Sequence, residues 1–128
     1  HAISAENVKL LFNIVPEAAQ YLGNRDIADI ARSTVFNHRP DALCVSGLTA
    51  GSQTDTSTLR KVKEVVPDMV VFANTGVRLE NVEEQLRIAD GAVIGTTFKY
   101  DGKFENHVDE RRVETFMKAV RKIREALT

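Results

Sequence analysis

Residues 69–97 read MVVFANTGVRLENVEEQLRIADGAVIGTT, and this stretch decides the fold. A short apolar run ends in Asn74-Thr75-Gly76, a segment with helical spacing follows, and a second apolar run ends in Gly95-Thr96-Thr97. Parallel strands joined by a helix bring their carboxyl ends to one edge of a sheet, where glycine lets an anion approach backbone N–H groups closely. The stretch therefore predicts a βαβ unit with a phosphate cradle at that edge.

The same alternation runs through the whole chain. Apolar runs typical of buried parallel strands occur at residues 8–15, 42–45, 69–73 and 92–94. Segments with an apolar stripe at helical spacing follow them, at residues 25–36, 56–66, 79–89 and 109–127. Asp55 and Asp109 stand where the second and the last helix should be capped. Strands that alternate with helices in this way predict an α/β fold with a parallel sheet.

The number of strands is half of what a closed barrel requires. A (β/α)₈ barrel needs eight strands and about 250 residues, whereas this chain has 128 residues. We therefore interpret residues 1–128 as a single domain, the (βα)₄ half of a TIM barrel. Such a half leaves two strand edges unpaired and one apolar face uncovered. These surfaces predict either a homo-oligomer or an N-terminal half that the 128 residues lack.

Composition excludes several classes of function. Seventeen basic and 18 acidic residues give a formal net charge of −1, so the chain lacks the basic surplus typical of nucleic-acid-binding domains. No apolar run reaches the roughly 18 residues that span a bilayer. Cys44 is the single cysteine, which excludes an intrachain disulfide and favours the reducing cytoplasm. His38 and His107 lack a partner at metal-ligand spacing, and we expect no metal site.

A series of short motifs resembles the BtpA/SgcQ family over nearly the whole chain after about Val8. The motifs that carry the resemblance are Asp41-Ala-Leu-Cys-Val-Ser-Gly47, Thr49-Ala-Gly51, Asn74-Thr-Gly76, Glu80-Asn-Val82, Ala89-Asp-Gly-Ala-Val-Ile-Gly95, Lys99, Asp101-Gly102 and Val108-Asp109. The match corresponds to the C-terminal half of a family member. The resemblance implies a fold similar to the phosphate-binding TIM barrels.

Two departures indicate the branch of the family. The end of the first strand reads Phe12-Asn-Ile-Val-Pro-Glu17, where BtpA-type members tend to carry an Asp and a Lys-His pair. Asn74-Thr75-Gly76 replaces a usual Gly-Ser-Gly. Both resemble the SgcQ branch, whose members accompany genes for sugar transport and metabolism, more than the branch linked to photosystem I biogenesis.

Residues that follow the predicted strands are the candidates for ligand binding. Gly76 and Gly95 can turn backbone amides towards an anion, although either glycine could equally serve a tight turn or a close backbone approach. The further candidates for substrate or phosphate binding are Asn13, Ser46, Gly47, Thr49, Gly51, Asn74, Thr75, Thr96 and Thr97. Several of them are also ordinary turn formers.

Three residues are candidates for catalysis. Glu17 lies just beyond the first strand, where a carboxylate could accept a proton, or could simply favour the start of a helix. Lys99 and Asp101 follow the fourth strand, and the family resemblance favours a role for them in neutralising a phosphate or in catalysis. The alternative for Asp101-Gly102 is a solvated turn.

The sequence thus predicts a cytoplasmic TIM-barrel protein that binds or transforms a phosphorylated, sugar-like metabolite. Neither the reaction nor a cofactor follows from the residues. The alternative is a non-catalytic assembly or stability factor, as the photosystem branch of the family suggests. Since one fold can serve many functions, the residues at the mouth of the barrel must decide between the two.

Overall fold

A computed structural model describes residues 4–15, 25–47 and 53–128. Its elements alternate in chain order and are β1 (Leu11–Val15), α1 (Ile27–His38), β2 (Ala42–Val45), α2 (Thr56–Val65), β3 (Val70–Ala73), α3 (Val82–Leu86), β4 (Gly91–Ala92) and α4 (Glu110–Leu127). The four strands form one parallel sheet in the order β1-β2-β3-β4. This arrangement confirms the predicted α/β class and is consistent with half of a TIM barrel.

One face of the sheet carries the core. Leu43, Val45 and Val71 are fully buried on this face and pack against apolar side chains from α1 and α2, among them Ile30 and Leu59. Alternate residues along a strand point to opposite faces, which explains why Val70 and Phe72 lie on the other side from Val71. The side chains of each strand therefore point alternately to the face covered by α1 and α2 and to the opposite face, which we call the open face.

The open face of the sheet is partly apolar. Leu11 lies opposite Ala42, which in turn lies opposite Val70 in the register of the sheet. Leu11 and Val70 are 47% and 41% exposed, and Val93 beyond the end of β4 is 44% exposed. In a closed barrel this face would line the interior. The uncovered apolar face expected of a half-barrel is therefore present.

Several elements are shorter than predicted. The first strand was expected at residues 8–15 but begins at Leu11, because the Leu10 N–H donates a hydrogen bond to the Asp41 carboxylate and not to a neighbouring strand. The third helix was expected to begin at Leu79 but begins at Val82, because the side chain of Asn81 accepts a hydrogen bond from the Arg78 N–H (2.8 Å) and donates one to the Gly76 carbonyl (2.9 Å). These bonds form a turn before the helix. The fourth strand was expected at residues 92–94, whereas pairing with β3 is confined to Gly91–Ala92.

The predicted helix caps are confirmed. The Asp55 carboxylate accepts a 2.7 Å hydrogen bond from the Ser57 N–H at the start of α2, and Asp109 accepts a 3.0 Å bond from the Arg111 N–H at the start of α4. Such caps satisfy N–H groups that have no partner within the helix. Asp109 thereby fixes where α4 begins, at the carboxyl end of the sheet.

Candidate functional site

A cluster of polar side chains connects the carboxyl ends of β1, β2 and β3. The hydroxyl oxygen of Ser46 accepts one 2.9 Å hydrogen bond from the Asn13 amide and another of 2.9 Å from the Asn74 amide. Ser46 is only 4% exposed. The structure therefore brings these three predicted residues together, as expected for strand ends at one edge of a parallel sheet, and they hold one another in place.

A second group of bonds joins the loops after β2 and β3. The Gly47 N–H donates a 2.6 Å hydrogen bond to the Thr75 hydroxyl oxygen. The hydroxyl of Thr54, which is fully buried, donates to the carbonyl oxygens of Val45 (2.9 Å) and Thr75 (3.5 Å). Gly47 and Thr75 therefore fix the relative position of the two loops. Any contact that they make with a ligand stays a prediction.

Gly76 and Gly95, the two glycines of the predicted cradle, have different surroundings and different backbone conformations. Gly76 has a φ of 64°, in the left-handed region that favours glycine, so the turn after β3 needs this residue. A Cβ atom placed on Gly95 would meet no other atom within 4 Å. The space where a side chain of residue 95 would stand is therefore open, and Gly95 lines the cleft described next.

A cleft of about 910 Å³ lies between the loops after β3 and β4 and the start of α4. Seven of the predicted residues line it, namely Asn74, Thr75, Gly76, Gly95, Thr96, Thr97 and Lys99. Its volume is within the range of pockets that hold small metabolites. The residues predicted to form a phosphate cradle at the ends of the third and fourth strands thus line one cleft.

The remaining predicted residues lie elsewhere. Asn13 lines a smaller hollow of about 380 Å³ with His38. Asp101 has a φ of 55° in the turn of residues 100–102 and is exposed, and it does not line the cleft. Glu17, Thr49 and Gly51 lie outside the described residues. The assignment of Glu17 and Asp101 to catalysis therefore stays a prediction.

Lys99 lines the cleft, but its ammonium group has partners. Its Nζ donates a hydrogen bond to the carbonyl oxygen of Phe104, and it lies 4.5 Å from the centroid of the Phe104 ring. A cation held over an aromatic face in this way is attracted by the ring. Lys99 thus stabilises the loop that follows β4 in addition to facing the cleft.

Three arginines that sequence reasoning missed also line the cleft: Arg78, Arg111 and Arg112. Arg112 donates a 2.8 Å hydrogen bond from Nε to the Thr97 carbonyl oxygen, whereas the Arg78 and Arg111 side chains bond to no other residue that the structure describes. With Lys99 they make four cations among the described lining residues, against one carboxylate, Glu80. The signal in the sequence was the pair Arg111-Arg112 in the first turn of α4, where the helix dipole disfavours positive charge.

Cys44 and the histidines take no part in this site. Cys44 is 5% exposed, and burial raises the pKa of its thiol, which disfavours the thiolate needed of a nucleophile. His38 and His107 are exposed. Among residues 4–15, 25–47 and 53–128, no three His, Cys, Asp or Glu side chains are grouped so that they could hold a metal ion.

No helix in these ranges is long and apolar enough to cross a membrane.

Comparison with known sequences decides the family. The profile of the BtpA family matches residues 1–122. The chain belongs to the BtpA family. It is 69% identical over 124 residues to the putative sgc region protein SgcQ of Escherichia coli, a match that covers 97% of this chain and 46% of SgcQ. The predicted BtpA/SgcQ resemblance is thereby confirmed.

More distant members of the BtpA family match over a similar span. An uncharacterised protein of Thermococcus kodakarensis is 29% identical, with 93% of this chain and 44% of that protein covered. The photosystem I biogenesis protein BtpA of Synechocystis is 22% identical, with 91% and 40% covered. The chain thus spans less than half the length of these relatives.

Proposed function

We propose that the cleft between the loops after β3 and β4 binds the phosphate group of a phosphorylated, sugar-like metabolite. The proposal rests on the observation that Gly95, Arg78 and Arg111 line the same cleft. Gly95 leaves room for a phosphate oxygen beside the backbone. The planar guanidinium groups of the arginines can donate paired hydrogen bonds to such a group.

The charge around the cleft supports an anion as the ligand. Arg78 and Arg111 come from different elements, the loop after β3 and the first turn of α4, and neither forms an ion pair with another described residue. Together with Lys99 and Arg112 they give the cleft a positive charge that Glu80 offsets only in part, and like charges in one cleft repel each other. A phosphate dianion between them would relieve that repulsion and add charge-assisted hydrogen bonds.

The sugar part of the proposal rests on the family and on the size of the site. The chain is 69% identical to SgcQ over nearly its whole length, and the SgcQ branch resembles proteins linked with sugar metabolism. A cavity of about 910 Å³ has room for much more than a phosphate. A catalytic role of Lys99 and a cytoplasmic location belong to the same proposal.

Titration with inorganic phosphate tests the proposal. We expect saturable binding by isothermal calorimetry, and a loss of roughly tenfold or more in affinity in each of Arg78→Gln and Arg111→Gln, because hydrogen bonds to charged groups contribute about 1.5–3 kcal/mol. Arg121→Gln is the matched control, since Arg121 is an exposed arginine of α4 outside the cleft. Equal phosphate affinity in all four proteins would contradict the proposal.

The open face of the sheet supports a second proposal, about partners. The exposed side chains of Leu11, Val70 and Val93 form an apolar surface of the kind that marks protein interfaces. We propose that a second (βα)₄ unit covers it, either from a second copy of this chain or from the remainder of a family-length chain. Native mass spectrometry tests this, and a monomer of 14.2 kDa at high concentration would contradict the oligomer.

A scaffold function of the photosystem-biogenesis type is the alternative to metabolite binding. The same apolar face would then bind a different protein. This alternative predicts that the arginine variants bind their protein partner normally, whereas metabolite binding predicts that those variants lose the phosphorylated ligand. The phosphate titration therefore separates the two functions.

A further inference from the structure

Phe104 lies at the wall of the cleft with most of its ring in solvent. Its side chain lines the cleft, its exposed fraction is 76%, and it does not belong to the apolar core. The Lys99 ammonium group lies 4.5 Å from the ring centroid, and the high exposure leaves the rest of the ring available to a ligand. Aromatic side chains that line small-molecule pockets commonly contact the apolar part of the ligand.

The segment that carries Phe104 is fixed by its own hydrogen bonds. Lys99 and Val108 form an antiparallel bridge, the Tyr100 N–H donates a 3.0 Å bond to the His107 carbonyl oxygen, and the Asn106 amide donates a 2.7 Å bond to the Tyr100 carbonyl oxygen. These bonds make residues 99–108 a compact hairpin. Because this backbone is ordered before binding, a ligand that contacts Phe104 does not have to order the segment that carries it.

The hairpin is also joined to the rest of the site. The Asp109 N–H donates a 2.7 Å hydrogen bond to the Phe98 carbonyl oxygen at the base of the hairpin. Lys99 lies over the Phe104 ring and binds the Phe104 carbonyl oxygen. The backbone that carries the ring is therefore joined to the start of α4, which lines the same cleft as Gly95.

We infer that Phe104 is a stacking platform that makes the cleft selective for cyclic over open-chain sugar phosphates. The inference rests on the proposed function, in which Gly95, Arg78 and Arg111 bind the phosphate. A sugar ring presents a flat face of C–H groups, and its contact with an aromatic ring buries apolar surface on both sides. A flexible open chain cannot present such a face without first losing conformational freedom.

Glucose 6-phosphate and sorbitol 6-phosphate are the matched probes, since they share six carbons and one phosphate and differ in whether the sugar is a ring. We expect the protein to bind glucose 6-phosphate about 3- to 10-fold more tightly, the range typical of aromatic stacking. Phe104→Ala should remove this preference, whereas any change in phosphate affinity through the lost ring contact with Lys99 should be the same for both esters. Phe104→Tyr, which keeps the ring, should retain the preference.

Tyr100→Ala is the control, because Tyr100 is an exposed aromatic residue of the same hairpin, 53% exposed, and does not line the cleft. Equal binding of the two esters by the unmodified protein, or a preference that survives in Phe104→Ala, would overturn the inference while phosphate binding stands. A Phe104→Ala protein that keeps the preference but changes its oligomeric mass would assign the ring to a protein interface. Absence of phosphate binding in the unmodified protein would overturn the proposed function and the inference together.

Discussion

The hydroxyl of Thr97 donates a 2.7 Å hydrogen bond to the carbonyl oxygen of Val77. This bond joins the loop after β4 to the loop after β3, although the two residues are 20 positions apart in the chain. The Thr97 carbonyl oxygen in turn accepts a bond from Arg112 at the start of α4. Thr97 thus connects all three walls of the cleft, and its hydroxyl proton is used within the protein.

Thr97→Val should weaken phosphate binding several-fold and lower the free energy of unfolding by about 1 kcal/mol, because the Val77 carbonyl loses its partner. Valine keeps the shape of threonine, so the effect reports the hydrogen bond alone. Calorimetric titration and urea unfolding measure the two quantities. Thr115→Val is the control, since Thr115 lines the same cleft and bonds to no described residue through its hydroxyl. Similar affinities for Thr97→Val and the unmodified protein would contradict a role for this connection in binding.

Gly95→Ala and Gly91→Ala should have opposite effects. A Cβ on Gly95 meets nothing within 4 Å, so we expect stability to change by less than about 0.5 kcal/mol, while the methyl group occupies the space proposed for phosphate and lowers its affinity several-fold. A Cβ on Gly91 would lie 2.4 Å from the Phe72 ring, which should destabilise the fold by about 1–3 kcal/mol and spare binding. Thermal unfolding and phosphate titration of both variants test this pair. Unchanged phosphate affinity in Gly95→Ala would remove Gly95 from the site.

The order of strands and helices could be predicted because it depends on local patterns of apolar residues. The caps Asp55 and Asp109 likewise act on the next turn of their own chain. The start of α3 could not be predicted, because it depends on how the Asn81 side chain folds back onto Gly76. The predicted bounds of an element are wrong where a side-chain hydrogen bond, and not the apolar pattern, determines where the helix begins.

The candidate site, too, could be predicted from the sequence only in part. The loops after β3 and β4 could be identified from sequence, since parallel strands end at one edge. The approach of Arg78 and Arg111 to the same cleft could not, because it depends on how α4 packs against the sheet through buried residues such as Phe116. Ser46 was predicted to contact substrate, and its hydroxyl oxygen accepts bonds from two neighbouring amides, a pairing that only the register of the strands determines.

Lys63→Met should affect stability and leave binding unchanged. Lys63 donates hydrogen bonds to the Met69 carbonyl oxygen (3.0 Å) and the Asp90 carboxylate (2.8 Å), at the amino ends of β3 and β4, away from the cleft. We expect a loss of about 1 kcal/mol at most, since Asp90 is partly exposed to solvent. Urea unfolding and phosphate titration test this, with Lys118→Met on the surface of α4 as the control. A large loss of phosphate affinity in Lys63→Met would show that the two ends of the sheet are not independent.

Asp55 should make stability depend on pH in the acid range. Hydrogen bonds from the Ser57 side chain and N–H hold the pKa of the Asp55 carboxyl below its ordinary value of 3.8. Because folding lowers this pKa, the ionised carboxylate stabilises the protein at neutral pH, and that contribution is lost as the pH falls below about 4. The difference in stability between the protein and Asp55→Asn should therefore shrink between pH 7 and pH 2 in urea unfolding. A difference that stays constant over this range would contradict the effect.

Binding of phosphate in the cleft can be mapped by amide chemical shifts during a titration. Sodium phosphate is added to the ¹⁵N-labelled protein, with sodium chloride of equal ionic strength as the reference. We predict saturable shifts at Gly76, Gly95 and the first turn of α4, which weaken in Gly95→Ala. Shifts that do not saturate, or that concentrate on α1 and α2 far from the cleft, would contradict phosphate binding in the cleft.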